Sequence, residues 1–382
     1  MSPFVPLHFQ PNLVIWAPGR INLIGEHTDY NLGYALPMAI DKGIRFGFSK
    51  NGSQSVCRIY SRDQENVLEV DLEHLEPSPI QWENYILGVL KGIRDKGGTC
   101  SGFDCVFESN LPMGAGMSSS AALECGMAYG VNELFDIGLD NSQLMKIAQK
   151  AEHHFVGTQC GIMDQFASIM GKKDHAMLLD CQNLAYNYVP LDQTNHSFLL
   201  LNTHVSHNLA ESAYNERRAQ CESVVAYFAQ KDTHIASLRD ISMEQLEAAR
   251  EEISELAFTR ASYVLRENQR VHAMVNCLSQ GAIQKAGDLL FQAHWDLSKA
   301  YEVSCPESDF LVEFAQNDPV VLGARQMGGG FGGCVLHLLP NAEIAAYIAR
   351  VTKAYKAAFQ IELSAYTTKA EQGVHCLTTD HL

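Results

Sequence analysis

GRINLIGEHTDY, residues 19–30, wraps four groups that seek water, Arg20, Glu26, His27 and Asp29, around the apolar run Ile21 to Ile24. An apolar run asks for burial. A cation, two carboxylates and an imidazole beside it are costly there unless hydrogen-bonding partners meet them. The reading of the chain turns on what supplies those partners.

Two glycine-bearing stretches lie further on. In LPMGAGMSSSAALE, residues 111–124, Gly114 and Gly116 admit positive φ and let the backbone come close to a ligand. Three serines then open a helix, whose free N–H groups and dipole suit a phosphate. Their hydroxyls add donors, and one could ligate a cation. No GK[ST] follows, so this is not a Walker loop. Alone, the stretch reads at least as well as a glycine turn with a serine cap on a core helix. In QMGGGFGGCVLHL, residues 326–338, five glycines flank Phe331 between two strands. A hairpin needs one or two. The backbone is therefore expected close to the first glycine loop or its ligand, with a plain flexible turn as the alternative.

Two acids complete the set. Glu152, in AEHHFVG, borders the apolar stripe of its helix and reads either as a buried acid in need of a cation or as a solvated edge. Asp164, in QCGIMDQFASIMG, falls in the first turn of a helix, off the stripe of Ile162, Phe166, Ile169 and Met170. The helix dipole alone could account for it.

With 382 residues the chain has room for about two domains and a large core. Its net charge of -16 argues against nucleic acid and anionic membrane surfaces, though not against small anionic substrates. The eleven cysteines form no CxxC pair, which favours buried free thiols in a reducing cytoplasm over zinc or disulfides. The opening residues carry no signal-peptide pattern, and no apolar run is long enough to span a membrane.

Periodicity predicts strands at residues 13–16, 44–48, 56–60, 103–108, 176–179, 198–202, 320–327 and 334–339. It predicts helices at 85–93, 119–135, 144–155 and 243–277, and a last helix capped by Asn341 and running to about 359. Strands and helices intersperse without strict alternation, which favours α+β over a doubly wound parallel sheet. A boundary is expected between about 180 and 210, dividing the chain into domains 1–190 and 191–382.

GRINLIGEHTDYNLGYALP, LPMGAGMSSSAAL and QMGGGFGGC, in that order, resemble the three motifs of the GHMP small-molecule kinases, and the first closely resembles the galactokinase signature of that family. AEHHFVGTQCGIMDQ, YNERRAQC and YEVSCPE agree with it, so the likeness covers about residues 12–375. The resemblance implies a ribosomal-protein-like α+β domain followed by a ferredoxin-like domain, with the site in the cleft between them. It implies an ATP-dependent kinase acting on the anomeric hydroxyl of galactose, with Mg2+; a monomer in the cytoplasm is expected beside it. An N-acetylgalactosamine kinase and a regulator that binds sugar and ATP without turnover are the alternatives.

Carried over by position, Arg20 and Asp164 match the catalytic pair. Glu26, His27, Asp29, Gly161 and Tyr214 match sugar contacts. Gly114, Ala115, Gly116, Met117, Ser118, Ser119 and Ser120 match the phosphate loop, and Ser120 and Glu152 the magnesium ligands. Trp82 and Tyr85 are expected near the adenine. The chain departs from the family pattern at Met117, at Lys299 and Ala300, and in having only 19 residues before Arg20. Sugar hydroxyls, each a donor and an acceptor, would be the partners that the opening stretch requires.

Overall fold

The computed structural model of the chain describes residues 9–112, 114–206 and 210–378. The first eight residues, part of the stretch read for a leader, lie outside the described residues. The strand expected at 13–16 runs on from Leu13 to Asn22. Pro18 and Gly19 look like breakers in sequence. Here they form a bulge: pairing with the strand Pro37–Lys50 slips between Pro18 and Arg20. A bulge re-aims the side chain beside it. The Arg20 N–H leaves the ladder and donates to Met117 O at 3.1 Å. The apolar run Ile21 to Ile24 is buried, as its composition asks.

This strand belongs to a six-stranded sheet in the order His375–Cys376, Leu13–Asn22, Pro37–Lys50, Phe103–Ser109, Val56–Ser61 and Asn66–Asp71. Only the contact between Val56–Ser61 and Phe103–Ser109 is parallel. The helix Ser119–Phe135 lies on this sheet. It can come close because Gly126 and Gly130 face Phe46 and Phe48, where a Cβ would stand 2.1 and 2.2 Å from the rings. A four-stranded antiparallel sheet follows, in the order Gly323–Gln326, Gly332–Pro340, His196–Ser206, Ser364–Thr368. The main core joins the two halves. Val271, Met274, Leu290 and Leu336 share it with Ile15, Phe46 and Phe166. The chain end also returns to the first sheet, where Trp16 pairs with His375.

Several expected boundaries move. The run 243–277 is two helices, Met243–Ala248 and Glu255–Ser279. Ser254 caps the second by accepting from Ala257 N, a local bond that interrupts the apolar period. The strand expected at 320–327 is only Gly323–Gln326. Asn341 caps no helix: its Nδ2 donates to Thr194 O at 2.9 Å, and the last helix, Ile344–Phe359, starts beyond a short 3-10 turn. The helix expected at 144–155 starts at Asn141, ends at Ala151, and widens into a π turn over Glu152–Val156. A second π turn covers Leu297–Tyr301. Such turns mark functional sites more often than ordinary helix does.

The close helix–sheet contact is testable. Gly126→Ala is expected to cost about 1–3 kcal/mol through overpacking against Phe46, lowering the urea midpoint. An unchanged midpoint would mean the helix has slack over the sheet.

Candidate active site

Arg20 and Asp164, far apart in sequence, form a two-point ion pair. Arg20 Nε donates to Asp164 Oδ1 at 2.7 Å and Nη2 to Oδ2 at 2.8 Å. The third guanidinium nitrogen, Nη1, donates to Gly116 O at 2.6 Å, in the phosphate loop. Burial works against the Arg20 charge, but Asp164, Glu26 and Asp29 outweigh it and raise its pKa. Ser118 Oγ also donates to Asp164 Oδ2. Ser118 stands at φ 56°, in the left-handed region that a non-glycine residue adopts only when its surroundings fix it. It immediately precedes the helix Ser119–Phe135. Gly114 and Gly116 take positive φ, 68° and 69°. Ala115 and Met117 point into the core, while Gly114, Gly116 and Ser119 are exposed. The third glycine stretch lies against this loop: a Cβ on Gly116 would meet Met327 O at 3.7 Å, and one on Gly333 would meet Gly114 O at the same distance.

Arg20 and Asp164 also border a cleft of about 290 Å³. Glu26, His27, Asp29, Gly161 and Tyr214, all expected at the sugar, line it together, and so do Ser120 and Glu152. Asp29 sits against Gly161 so closely that a Cβ there would lie 1.9 Å from Asp29 Oδ2. Asp29 has its pKa pushed up to about 7, first by burial and then by Asp164, with Arg20 opposing. His27 is brought down to about 3 by burial and by Arg217 and Arg325, against a backbone hydrogen bond with Gly329, so its ring is neutral. Its Nδ1 lies 2.9 Å from Tyr30 Oη, and Nε2 has no well-aligned protein partner. Glu26 is not a free carboxylate. Arg325 Nη2 donates to its Oε1 at 2.6 Å, and so does Gly328 N at 2.9 Å.

Arg325 is a site residue that the sequence reading missed. It is buried, and two further bonds tie it to Leu23 O and Asn22 O. The available signal was a cation inside an apolar strand just before the glycine run. Tyr30 and Tyr301 were missed as well. Tyr301 closes the second π turn and packs against His27 with ring centroids 5.0 Å apart. Of the departing positions, Lys299 pairs with Asp309 at 3.6 Å, while the Ala300 carbonyl accepts from Arg260.

Glu152 is buried at the start of the first π turn. Burial raises its pKa; Ser120 and Cys160 hydrogen bonds oppose this, and the nearby Asp164 charge adds to it. Glu124, wholly buried on the same helix as Ser120, is raised by burial and by Glu152. Among the described residues no cationic side chain lies within ion-pair distance of Glu152 or Glu124. No described group of three or more His, Cys, Asp or Glu side chains could hold a metal alone. A hydroxyl and one carboxylate do fit a magnesium ion that takes its other ligands from phosphates and water. A second cavity, about 360 Å³, meets the first at Ser120 and is walled by Trp82, Tyr85 and Leu123.

Profiles for the GHMP kinases N terminal domain and the GHMP kinases C terminal match residues 84–172 and 273–357, and one for the galactokinase galactose-binding signature matches residues 7–50. The chain is 41% identical to a galactokinase of Thermotoga neapolitana over 359 residues, 94% of this chain and 98% of that protein. It is 38% identical to one from a Roseiflexus species, over 95% of this chain and 93% of the other. The structure of Lactococcus lactis galactokinase complexed with galactose superposes with a TM-score of 0.91 at 33% identity, covering 96% of this chain and 95% of that one. A mevalonate kinase structure shares the fold, with a TM-score of 0.65 at 17% identity. Fold and cleft together are those of a GHMP kinase. Within that class the chain belongs to the galactokinase family.

Two outcomes follow from these charges. The folded protein holds the Asp29 proton up to about pH 7, whereas an unfolded Asp releases it near its ordinary value of 3.8. The stability this proton confers is whole below about pH 4 and is lost as pH rises through about 7. Ligand-free Asp29→Asn should therefore gain on wild type across that window, by at most about 4 kcal/mol, as read from melting temperatures over a pH series. Removing the Arg325 charge with Arg325→Met should destabilise by about 3–5 kcal/mol, since Glu26 would be left buried and unpaired. Denaturant titration measures the loss, and a change under about 1 kcal/mol would contradict the pairing.

Proposed function

We propose that the chain transfers the γ-phosphate of ATP to the anomeric hydroxyl of galactose, giving galactose 1-phosphate. One observation carries this reading: the Arg20–Asp164–Ser118 cluster stands between the cleft lined by Glu26, His27, Asp29, Gly161 and Tyr214 and the start of the helix Ser119–Phe135. The sugar fills the first side. The triphosphate lies on the glycine loop from Gly114 to Ser120, and the adenine lies by Trp82 and Tyr85. Residues 1–190 then carry the sugar and phosphate contacts, and residues 191–382 supply the third glycine stretch and Tyr214. The protein works as a monomer on small molecules. A cytoplasmic setting suits eleven unpaired thiols.

Phosphoryl transfer asks chiefly for alignment and charge neutralisation. Asp164 Oδ2 already accepts from Arg20 and Ser118, while Oδ1 accepts from Arg20 alone. Oδ1 is therefore the oxygen with room for the sugar hydroxyl. Asp164 orients that hydroxyl and takes its proton late, as the new bond to phosphorus forms. Arg20, fixed by Asp164 and Gly116 O, places a guanidinium beside the transferred group and stabilises its charge. The N–H groups at the start of the helix meet the phosphate oxygens. Ser120 and Glu152 would hold Mg2+, which supplies positive charge to the phosphates when bound. Asp29 and Glu26 accept from sugar hydroxyls, and Gly161 leaves the sugar room beside Asp29.

Asp164→Asn should lower kcat by about 10²–10⁴-fold while galactose binding survives, measured by coupled ADP release and by calorimetry. Near-normal turnover would remove Asp164 from its role as base. The same assay over galactose and N-acetylgalactosamine separates the two sugar kinases. Binding of both ligands without any sugar phosphate would instead mark a regulator.

A further inference from the structure

His27 has one ring nitrogen in a well-aligned protein hydrogen bond and one without. From Nδ1 a line of hydrogen bonds runs away from the cleft: 2.9 Å to Tyr30 Oη, 2.8 Å on to Tyr301 Oη, and 3.4 Å from there to Cys221 Sγ. All four side chains are buried. The other nitrogen, Nε2, is equally buried and lacks a well-aligned protein partner, although the Gly329 backbone acts on the ring, which lines the cleft. The relay is built from distant parts of the chain. Tyr30 comes from the opening motif, Cys221 from the helix Ala210–Ala229, and Tyr301 from the end of the second π turn.

Such a line can run in two directions. If Nδ1 carries the proton, it donates to Tyr30, Tyr30 to Tyr301, and Tyr301 to the sulfur. If Nδ1 is bare, Tyr30 donates to it, Tyr301 donates to Tyr30, and the thiol donates to Tyr301. The thiol is a weak donor and a weak acceptor, so the far end decides little. The near end decides more. A phenol O–H is a better donor than an imidazole N–H, and an imidazole nitrogen is a better acceptor than a phenol oxygen. Tyr30 O–H donating to bare Nδ1 is therefore the stronger bond. The neutral ring then carries its single proton on Nε2.

We propose that the Tyr30–Tyr301–Cys221 relay holds His27 as its Nε2–H tautomer, so that Nε2 donates to a hydroxyl oxygen of the bound sugar. This rests on the sugar-kinase reading for the identity of the acceptor, though not for the tautomer. The chemistry of the cleft calls for a donor at this place. Glu26 and Asp29, when ionised, can only accept, and each sugar hydroxyl has one proton to give and lone pairs left to fill. The opposite tautomer would add a third acceptor. Tyr30 and Tyr301 thereby act as positioning residues: they touch no reacting atom and act through His27.

The test begins with ligand-free wild type labelled with 15N-histidine, His27→Asn serving to assign the signals. At neutral pH Nε2 should appear protonated and Nδ1 bare; the reverse pattern overturns the proposal, whatever the substrate is. Tyr30→Phe should release the tautomer into a mixture and raise the galactose KM about tenfold, equivalent to one good hydrogen bond, with kcat changed far less. Tyr301→Phe leaves the Tyr30 hydroxyl on Nδ1 and should keep the tautomer with a smaller KM rise. An unaltered tautomer or KM in Tyr30→Phe refutes the relay. If the sugar-kinase reading itself were wrong, the sign would be different: wild type would make no galactose phosphate, while the nitrogen signals stayed as described.

Discussion

Two parallel hydrogen bonds between Arg20 and Asp164 fix the rest of the site. A guanidinium and a carboxylate joined at both ends cannot slide or rotate past one another without losing the pair. The bond spans the first strand and the helix Met163–Met170. A third contact reaches the glycine loop at Gly116 O, and Ser118 closes the ring from the phosphate side. Three segments distant in sequence thus share one rigid junction. The bulge at Gly19 exists to serve it, because an unbroken ladder would not send Arg20 to Met117 and Gly116. The left-handed Ser118 is held by the same contacts.

Around that junction the protein keeps charges in unequal states of satisfaction. Glu26 is neutralised by Arg325 before any ligand arrives. Asp29, Glu152 and Glu124 have no such partner among the described residues, and burial pushes each of them toward its protonated form. Carboxylates kept in this way gain most when something brings them donors or a cation. The unsatisfied groups in the cleft are the places where ligand binding has the most to contribute.

Much of this could be read from the residues. Read singly, the glycine and serine spacing of residues 111–124 and the first-turn position of Asp164 admitted plainer causes; it was the order of the three motifs, and the family resemblance they carry, that placed the fold and most of the cleft. Partners set by tertiary contact left weaker traces. Arg325 looks like any strand residue until the fold brings Glu26 beside it. Tyr301 reaches His27 only because a helix widens by one residue at its end, and no apolar period records that change. The strand expected at 13–16 fell short for the same reason: Pro18 and Gly19 are poor strand residues, but the sheet takes them into a bulge. Ser254 marked a helix start inside a run that hydrophobic spacing alone treats as continuous.

The strand His375–Cys376 lies at the outer edge of the first sheet, beside Trp16, with Leu377 N bonded to Val14 O at 2.8 Å. These residues are synthesised long after the strand they cover. During synthesis that edge stays open, with free N–H and C=O groups able to pair with another nascent chain. Completion of that edge therefore waits until residues 375–377 have been made. A fusion joined just past Leu377 would crowd the seam that closes it.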